Sequence, residues 1–354
     1  MRIQSLLAAA GLAFVLGSAA HADVRLQGGG ATFPAPIYQR WVTEYQKAHP
    51  DVKIDYQAIG SGGGIKGITD KTFDWAGSDA PMSKKELQAA GGAEKIVEIP
   101  TVAGAVVLAY NLPGFNGELK LDGPILADIY LGQIKKWNDP RIAALNGGAA
   151  LPDLAITTVH RTDGSGTNYI FTNYLSTQSE TFKNKIGAGK QVEWPTGTGG
   201  PQNAGVTQIV QTTHGALGYV ELAYALENKI PFATLKNRDG HFVKASAESV
   251  SMAGEGALNQ MSHGLAVNIW DQHGEKAYPI SSFTYIIVYK DLDYLRDQDK
   301  ARALTDFLRW ATSEGETLAP SLDYAPLSAG VQKKVASAIN SLTWSGHPVA
   351  TASR

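Results

Sequence analysis

The 354-residue chain contains no cysteine, which excludes both a disulfide framework and a lipidated N-terminal cysteine. Beyond Gly17 it has no apolar run long enough to span a bilayer. The eight histidines show no short ligand spacing such as His-x-x-x-His, so a zinc site is not expected, and no Gly-x-Ser-x-Gly elbow occurs. Charge of either sign is scarce in excess: 31 Lys and Arg stand against 33 Asp and Glu, a formal net charge of -2. With no basic patch interleaved with aromatics, a nucleic-acid role is excluded. The same balance means that any anion site must rely on donors close at hand, because the overall field would not draw an anion in. No internal repeat and no compositional linker is present, so if the chain makes two domains it crosses between them more than once.

What is present is enough apolar residue, 44%, to bury a substantial core, on a length that suggests about two domains. The N-terminus carries a positive start at Arg2, an apolar stretch from Leu6 to Gly17 and a small-x-small site at Ala20-His21-Ala22. This predicts a cleavable signal peptide over residues 1–22, and hence an exported, periplasmic protein. Removing Arg2 leaves 30 basic against 33 acidic residues, or -3. The 38 glycines cluster in short loops beside Ser and Thr, the composition of ligand loops and not of a disordered linker.

The densest chemistry lies at His160-Arg161-Thr162-Asp163-Gly164-Ser165-Gly166-Thr167-Asn168. The alternating run Ala155 to Val159 before it predicts a strand, and the helical spacing of Tyr169, Ile170, Phe171, Tyr174 and Leu175 predicts a helix after it. A helix start points unpaired amides outward, and glycines let a ligand approach them. Arg161 adds a planar fork of donors suited to a tetrahedral oxyanion, which Asp163 could hold rigid. An ordinary turn, with Ser165 or Thr167 as N-cap and Arg161–Asp163 as a surface pair, fits the same residues. A hydrolytic triad of His160, Asp163 and Ser165 does not, since three such close neighbours cannot line up along a strand and turn.

The construction recurs. Gly28-Gly29-Gly30-Ala31-Thr32-Phe33-Pro34-Ala35-Pro36 reads as a glycine-rich loop opening a helix marked by Ile37, Trp41 and Tyr45. Ile59-Gly60-Ser61-Gly62-Gly63-Gly64 follows the strand Val52–Ile54–Tyr56 and opens another helix; it lacks the Gly-Lys-Ser/Thr ending of a phosphate-binding P-loop and the glycine pattern of a dinucleotide fold. Asp79 sits at the end of the strand Phe73 to Ser78. Ser83 with Glu86 makes the better capping box for the next helix, which leaves Asp79 without an evident structural duty. The runs Val102 to Tyr110 and Phe283 to Tyr289 are the most continuously apolar of the mature chain and predict strands buried on both faces of a parallel-rich sheet. The stretches Ala301 to Trp310 and Val331 to Ile339 predict helices returning to the first domain.

Taken together, these loops, with Ser78-Asp79-Ala80-Pro81, Leu131 to Trp137, Gly215 to Tyr219 and Leu322-Asp323-Tyr324-Ala325, strongly resemble the periplasmic phosphate-binding proteins of phosphate-specific ABC transporters over nearly the whole mature chain. The sequence departs from that pattern at Gly62, where the family more often has serine, and at Thr162, which replaces a small apolar residue. The resemblance implies an α/β fold of the type II periplasmic binding protein architecture: two α/β domains joined by a double crossover hinge, with the ligand in the cleft between them. The two apolar runs place the crossings so that residues 23–105 plus 282–354 form domain I and 106–281 domain II. Carried over position by position, the resemblance implies phosphate ligation by Thr32, Phe33, Ser61, Asp79, Arg161 held by Asp163, Ser165, Gly166 and Thr167. Asp79 would act as proton acceptor. It implies a monomeric binder with no cofactor or metal and no catalytic residues, delivering phosphate to a membrane permease with a cytoplasmic ATPase. A secreted phosphatase, or a binder of another tetrahedral oxyanion, is the alternative.

Overall fold

The computed structural model describes residues 23–262 and 264–349, so the predicted signal peptide lies outside the described residues. In chain order the strands are β1 (Val24–Gly30), β2 (Val52–Ala58), β3 (Trp75–Ser78), β4 (Ile96–Tyr110), β5 (Lys120–Leu121), β6 (Thr157–Arg161), β7 (Thr198–Gly200), β8 (Ala216–Glu221), β9 (Thr234–Lys236), β10 (Phe242–Val243), β11 (Ser281–Tyr289), β12 (Thr343–Trp344) and β13 (His347–Pro348). The helices are α1 (Ala35–Ala48), α2 (Ser61–Thr69), α3 (Lys84–Ala89), α4 (Gly123–Tyr130), α5 (Pro140–Leu145), α6 (Gly166–Gln178) and α7 (Glu180–Lys185). They continue with α8 (Gln202–Thr212), α9 (Leu222–Glu227), α10 (Ala247–Gly254), α11 (Ala257–Gln260), α12 (Gln298–Ala311) and α13 (Ala329–Asn340). None is long and apolar enough to cross a membrane.

Eight strands form one mixed sheet in the order β2-β1-β3-β11-β4-β8-β6-β7. Its axis is β4, whose residues from Ile99 to Tyr110 are all buried. This strand changes partner along its length: Ile96–Ala105 pairs with β11, and Val106–Tyr110 pairs with β8. The sheet is therefore two half-sheets, β2-β1-β3-β11 and β8-β6-β7, strung on one strand. A further bridge, Ala103 with Ala325, brings the C-terminal segment back to the same point of β4.

The two apolar runs are buried strands, as their composition requires, but not parallel ones: β4 is antiparallel to β11 and β8, and β11 is antiparallel to β3. An unbroken apolar run reports that both faces are covered, and helices cover them here whatever the strand direction. Within this sheet, parallel pairing is confined to β1 with β2 and β3, and to β6 with β7 and β8.

Opposite Thr284 and Tyr285 the β4 register slips, with Thr284 facing Val102 and Tyr285 facing Pro100, so that Thr101 is left over as a bulge. A bulge is where a central strand tolerates proline, which has no N–H for the ladder. The first half-sheet is packed by aromatic side chains in contact: Tyr38 stacks on Trp41, and Tyr56 stacks on Trp75. Gly28 and Gly29, read from sequence as loop, are strand residues of β1. They are glycines because Trp75 and Phe73 lie where any Cβ would fall, 2.1 and 2.4 Å from the nearest ring atoms.

Candidate functional site: an anion cradle between two half-sheets

The site assembles at the carboxyl ends of the parallel strands, the edge at which open α/β sheets place ligands. On one side Thr32 and Phe33 follow β1, Ser61 opens α2 after β2, and Asp79 follows β3. On the other, Arg161 ends β6, and Asp163, Ser165, Gly166 and Thr167 form the turn into α6. The fold brings all of these predicted residues together. Thr32, Phe33, Ser61, Asp79, Arg161, Ser165 and Thr167 are each 5% exposed or less, which in polar groups demands partners.

Helix capping marks the place independently. Among the described α-helices, α1, α2, α8 and α11 alone start without a side-chain cap, on Pro34, Gly60, Pro201 and Gly256. Of these, α1, α2 and α8 start at this site. Their first amides have no intrahelical acceptor, so three helix starts turn positive dipole ends to one region, and the amides of Gly62, Gln202 and Asn203 are taken up by Gly164, Asp163 and Thr32 of the site itself. The fourth helix here, α6, is capped by Ser165, whose Oγ accepts from Asn168 N at 3.0 Å.

Arg161 is buried and forked onto Asp163, with Nε 2.8 Å from Oδ1 and Nη2 2.5 Å from Oδ2, while Nη1 donates to Thr167 Oγ1 at 3.2 Å. The Arg161–Asp163 pair is thus not the surface pair of an ordinary turn: the arginine side chain is 1% exposed. Burial alone would raise the Asp163 pKa. The bonds from Arg161, its charge and the amide of Gln202 hold it below the usual carboxylate range. One guanidinium is therefore fixed in place by Asp163 and Thr167.

The halves meet at close range. Ser61 Oγ accepts from Gly166 N at 3.0 Å and from Asp79 N at 3.2 Å, and Gly62 N donates to Gly164 O at 2.8 Å. Gly60 is required twice over: its φ is +92°, and a Cβ would lie 2.4 Å from Asp163 Oδ2. At Gly62, the departure from the family pattern, a Cβ would stand 3.2 Å from Gly164 Cα and O, so serine there would press on the opposite loop.

Asp79 does have a structural partner, which the sequence did not reveal: Thr284 Oγ1 donates to its Oδ1 at 2.7 Å, from β11 beside the bulge. Its Oδ2 lies 3.3 Å from Ser61 Oγ. Burial pushes this carboxyl up to about 7, against the lowering effects of Thr284, Arg161 and Ser61. A buried carboxyl of that pKa can change between accepting and donating a hydrogen bond near neutrality.

Sequence reasoning missed the second half of the support. Asn203, on α8 and fully buried, donates from Nδ2 to Thr32 Oγ1 at 2.8 Å and to Thr167 Oγ1 at 3.2 Å. Gln202 N bonds Asp163 Oδ1 at 2.9 Å. The signal was available, since Gly199-Gly200-Pro201 before a helix repeats the pattern at Gly30 and Pro34. Three tyrosines brace the backbone: Tyr219 on Arg161 N at 2.9 Å, Tyr224 on Thr32 O at 2.6 Å and Tyr324 on Phe33 O at 2.6 Å. His160, by contrast, stacks on Trp194 with ring centroids 5.7 Å apart, and its Nδ1 lies 3.3 Å from Arg161 O.

Residues 17–315 match the family described as PBP superfamily domain. The chain is 44% identical over 311 residues to the phosphate-binding protein PstS of Pasteurella multocida, covering 88% of each chain. The chain belongs to the PstS family of phosphate-binding proteins. To the PstS of Haemophilus influenzae it is 42% identical over 313 residues, covering 88% of this chain and 91% of the other. Among solved structures, a phosphate-binding protein from Stenotrophomonas maltophilia superposes with a TM-score of 0.67 at 20% identity, over 89% of this chain and 93% of that one. That likeness establishes the type of fold, two α/β units around a cleft, and the family membership accounts for the order of the loops along the chain.

Proposed function

We propose that the protein binds inorganic phosphate, as hydrogen phosphate, in the cradle between Thr32, Phe33, Ser61 and Asp79 on one side and Arg161, Ser165, Gly166 and Thr167 on the other. The observation that carries this reading is the composition of the buried site: helix amides, hydroxyls and one fixed guanidinium as donors, with a single carboxyl, Asp79, in position to accept. A tetrahedral anion bearing one proton complements that set. The kinship with the phosphate-binding PstS proteins of Pasteurella multocida and Haemophilus influenzae supports it.

Residues 23–105 plus 282–354 would form one lobe and 106–281 the other, closing on the anion about the partner switch of β4 between Ala105 and Val106. The protein would work as an exported monomer in the periplasm, handing phosphate to the permease of an ABC importer driven by a cytoplasmic ATPase. It would bind without turnover. Ser165 Oγ is engaged in capping α6, Asp163 in holding Arg161, and His160 lies against Trp194, so these three do not assemble a nucleophile with its base.

Calorimetric titration of ligand-stripped protein with phosphate, arsenate, sulfate and molybdate tests the reading. Phosphate and arsenate should bind, with sulfate and molybdate far weaker; equal binding of sulfate would overturn it. Turnover of a chromogenic phosphate monoester that disappears in Ser165→Ala would show an enzyme instead.

A further inference from the structure

The orientation of the Asn203 side chain is fixed by its surroundings. Its Oδ1 receives the backbone N–H of Glu221 at 3.0 Å, and an N–H can only donate, so the atom lying between the two threonines is the amide nitrogen. An amide NH₂ has two protons and no acceptor, one proton for each threonine oxygen. Thr167 Oγ1 also receives Arg161 Nη1 at 3.2 Å, and Thr32 Oγ1 is approached by the Asn203 backbone N–H at 3.4 Å. A hydroxyl with donors on both lone pairs has only its proton left to direct.

We propose that Asn203 sets the hydrogen-bond polarity of the site, holding Thr32 and Thr167, one from each side of the cleft, as obligate donors toward the bound anion. This rests on the reading that the cradle takes a tetrahedral oxyanion and adds a specificity-determining residue to it. Ser61 Oγ also accepts from two backbone amides, those of Gly166 and Asp79, while its own proton is directed to Asp79 Oδ2 at 3.3 Å. With these three hydroxyls unable to accept, Asp79 is the carboxyl left to receive a ligand proton. The P–OH of hydrogen phosphate is thereby steered to Asp79, and the deprotonated oxygens to Thr32 and Thr167. A ligand presenting a proton or an ester on the threonine side is refused by both hydroxyls together. Because Asn203 lies on α8 and Thr32 follows β1, the polarity is imposed only when the two sides are in contact.

The test is a pair of double-mutant cycles, Asn203→Ala with Thr32→Val and Asn203→Ala with Thr167→Val, read by calorimetry with phosphate, arsenate and sulfate on ligand-stripped protein. Each single variant removes hydrogen bonds to a charged ligand or their alignment and should weaken binding about 10- to 100-fold. In either valine background Asn203→Ala should add only about a further twofold to threefold, because the hydroxyl it acts through is gone. Asn203→Asp, nearly isosteric, turns the donor into an acceptor that captures the threonine protons, and should weaken binding by about 100-fold or more. Melting curves by circular dichroism report whether each variant folds; if Asn203→Asp does not, the alanine cycles decide alone. Full multiplication of the single effects in both cycles would show a merely structural Asn203 and overturn the proposal, as would wild-type affinity in Asn203→Asp. Wild-type protein that preferred sulfate would overturn the phosphate reading, while the same cycles read on sulfate would still decide the role of Asn203.

Discussion

Asp79 is an unusual neighbour for a dianion unless the anion brings a proton. Ionised, it meets the P–OH of hydrogen phosphate with a charge-assisted bond; opposite sulfate, which has only acceptor oxygens at neutral pH, it meets lone pairs and a like charge in a desolvated site. Sites built around a ligand hydroxyl reject analogues lacking it by about 10⁴-fold, because the buried partner is left unpaired. Replacing Asp79 by Asn keeps the shape, the contact with Thr284 and an amide donor for either anion. Asp79→Asn should therefore hold phosphate within about tenfold of wild type while sulfate binding rises by more than that. An unchanged preference, with the fold intact by circular dichroism, would remove the proton-reading role. Thr284 and the β4 bulge beside it matter at the same scale, since they hold one carboxylate oxygen and leave the other toward Ser61 and the cradle.

At the scale of elements, the site depends on how closely two helix starts approach. Gly166, the first residue of α6, lies so near the opposite side that a Cβ would fall 2.4 Å from Asp79 Oδ2 and 2.5 Å from Ser61 Oγ, both atoms of buried groups with no room to yield. Gly166→Ala should hold α2 and α6 apart and weaken phosphate binding about 100-fold or more, a loss of the size expected when bonds to a charged ligand are misaligned. The melting temperature of the phosphate-free protein should fall little, because alanine suits the first turn of a helix. Small-angle scattering should show no contraction on adding phosphate to this variant; contraction equal to wild type would mean that the contact is not what closes the cleft. The uncapped starts of α1 and α2 follow the same logic, since a capping side chain would occupy amides at the mouth of the site.

For the molecule as a whole, buried carboxyls make stability depend on pH. Burial pushes Asp79 up to about 7, Glu316 up to about 8 and Glu221 well above the carboxylate range. Glu316 has a single bond to Leu327 N at 3.1 Å, and its Oε1 has no partner. A carboxyl whose pKa is raised on folding binds a proton that the unfolded chain has released. Its contribution is whole below the ordinary carboxylate pKa and is lost as pH rises, for Asp79 up to about 7 and for Glu316 up to about 8. Each such group changes stability by about 1.4 kcal/mol per pH unit within its window. Phosphate-free protein should melt at a lower temperature at pH 8.5 than at pH 6.5, and Glu316→Gln should flatten that dependence and melt above wild type at pH 8.5. A Glu316→Gln profile parallel to wild type would exclude Glu316 as its source. Salt should act differently. With a formal net charge of -2 and a site made of short-range donors in a dry cleft, phosphate affinity should change little between low and high sodium chloride. A steep loss would mean an exposed anion.

The amino-acid sequence by itself determined what is local. The spacing of Ile37, Trp41 and Tyr45 makes α1, the Ser83–Glu86 capping box starts α3, and the Gly-Ser-Gly turn before Thr167 starts α6, because each depends on residues within a turn or two of one another. Resemblance of whole loops carried the candidate anion site further than spacing could, since no pattern within Arg161 to Thr167 names the partner loops at Thr32, Ser61 and Asp79. Tertiary structure alone decided the rest. That β4 and β11 run antiparallel, that Gly28 and Gly29 are strand packed on Trp75 and Phe73, that Thr284 holds Asp79 and that Asn203 joins Thr32 to Thr167 are all contacts between residues 36 or more positions apart. A hydrophobic run records that a strand will be buried, and a lone asparagine records only that it is polar. Which strand lies alongside, and which hydroxyl faces the amide, is settled when the chain closes on itself and every buried donor must find an acceptor.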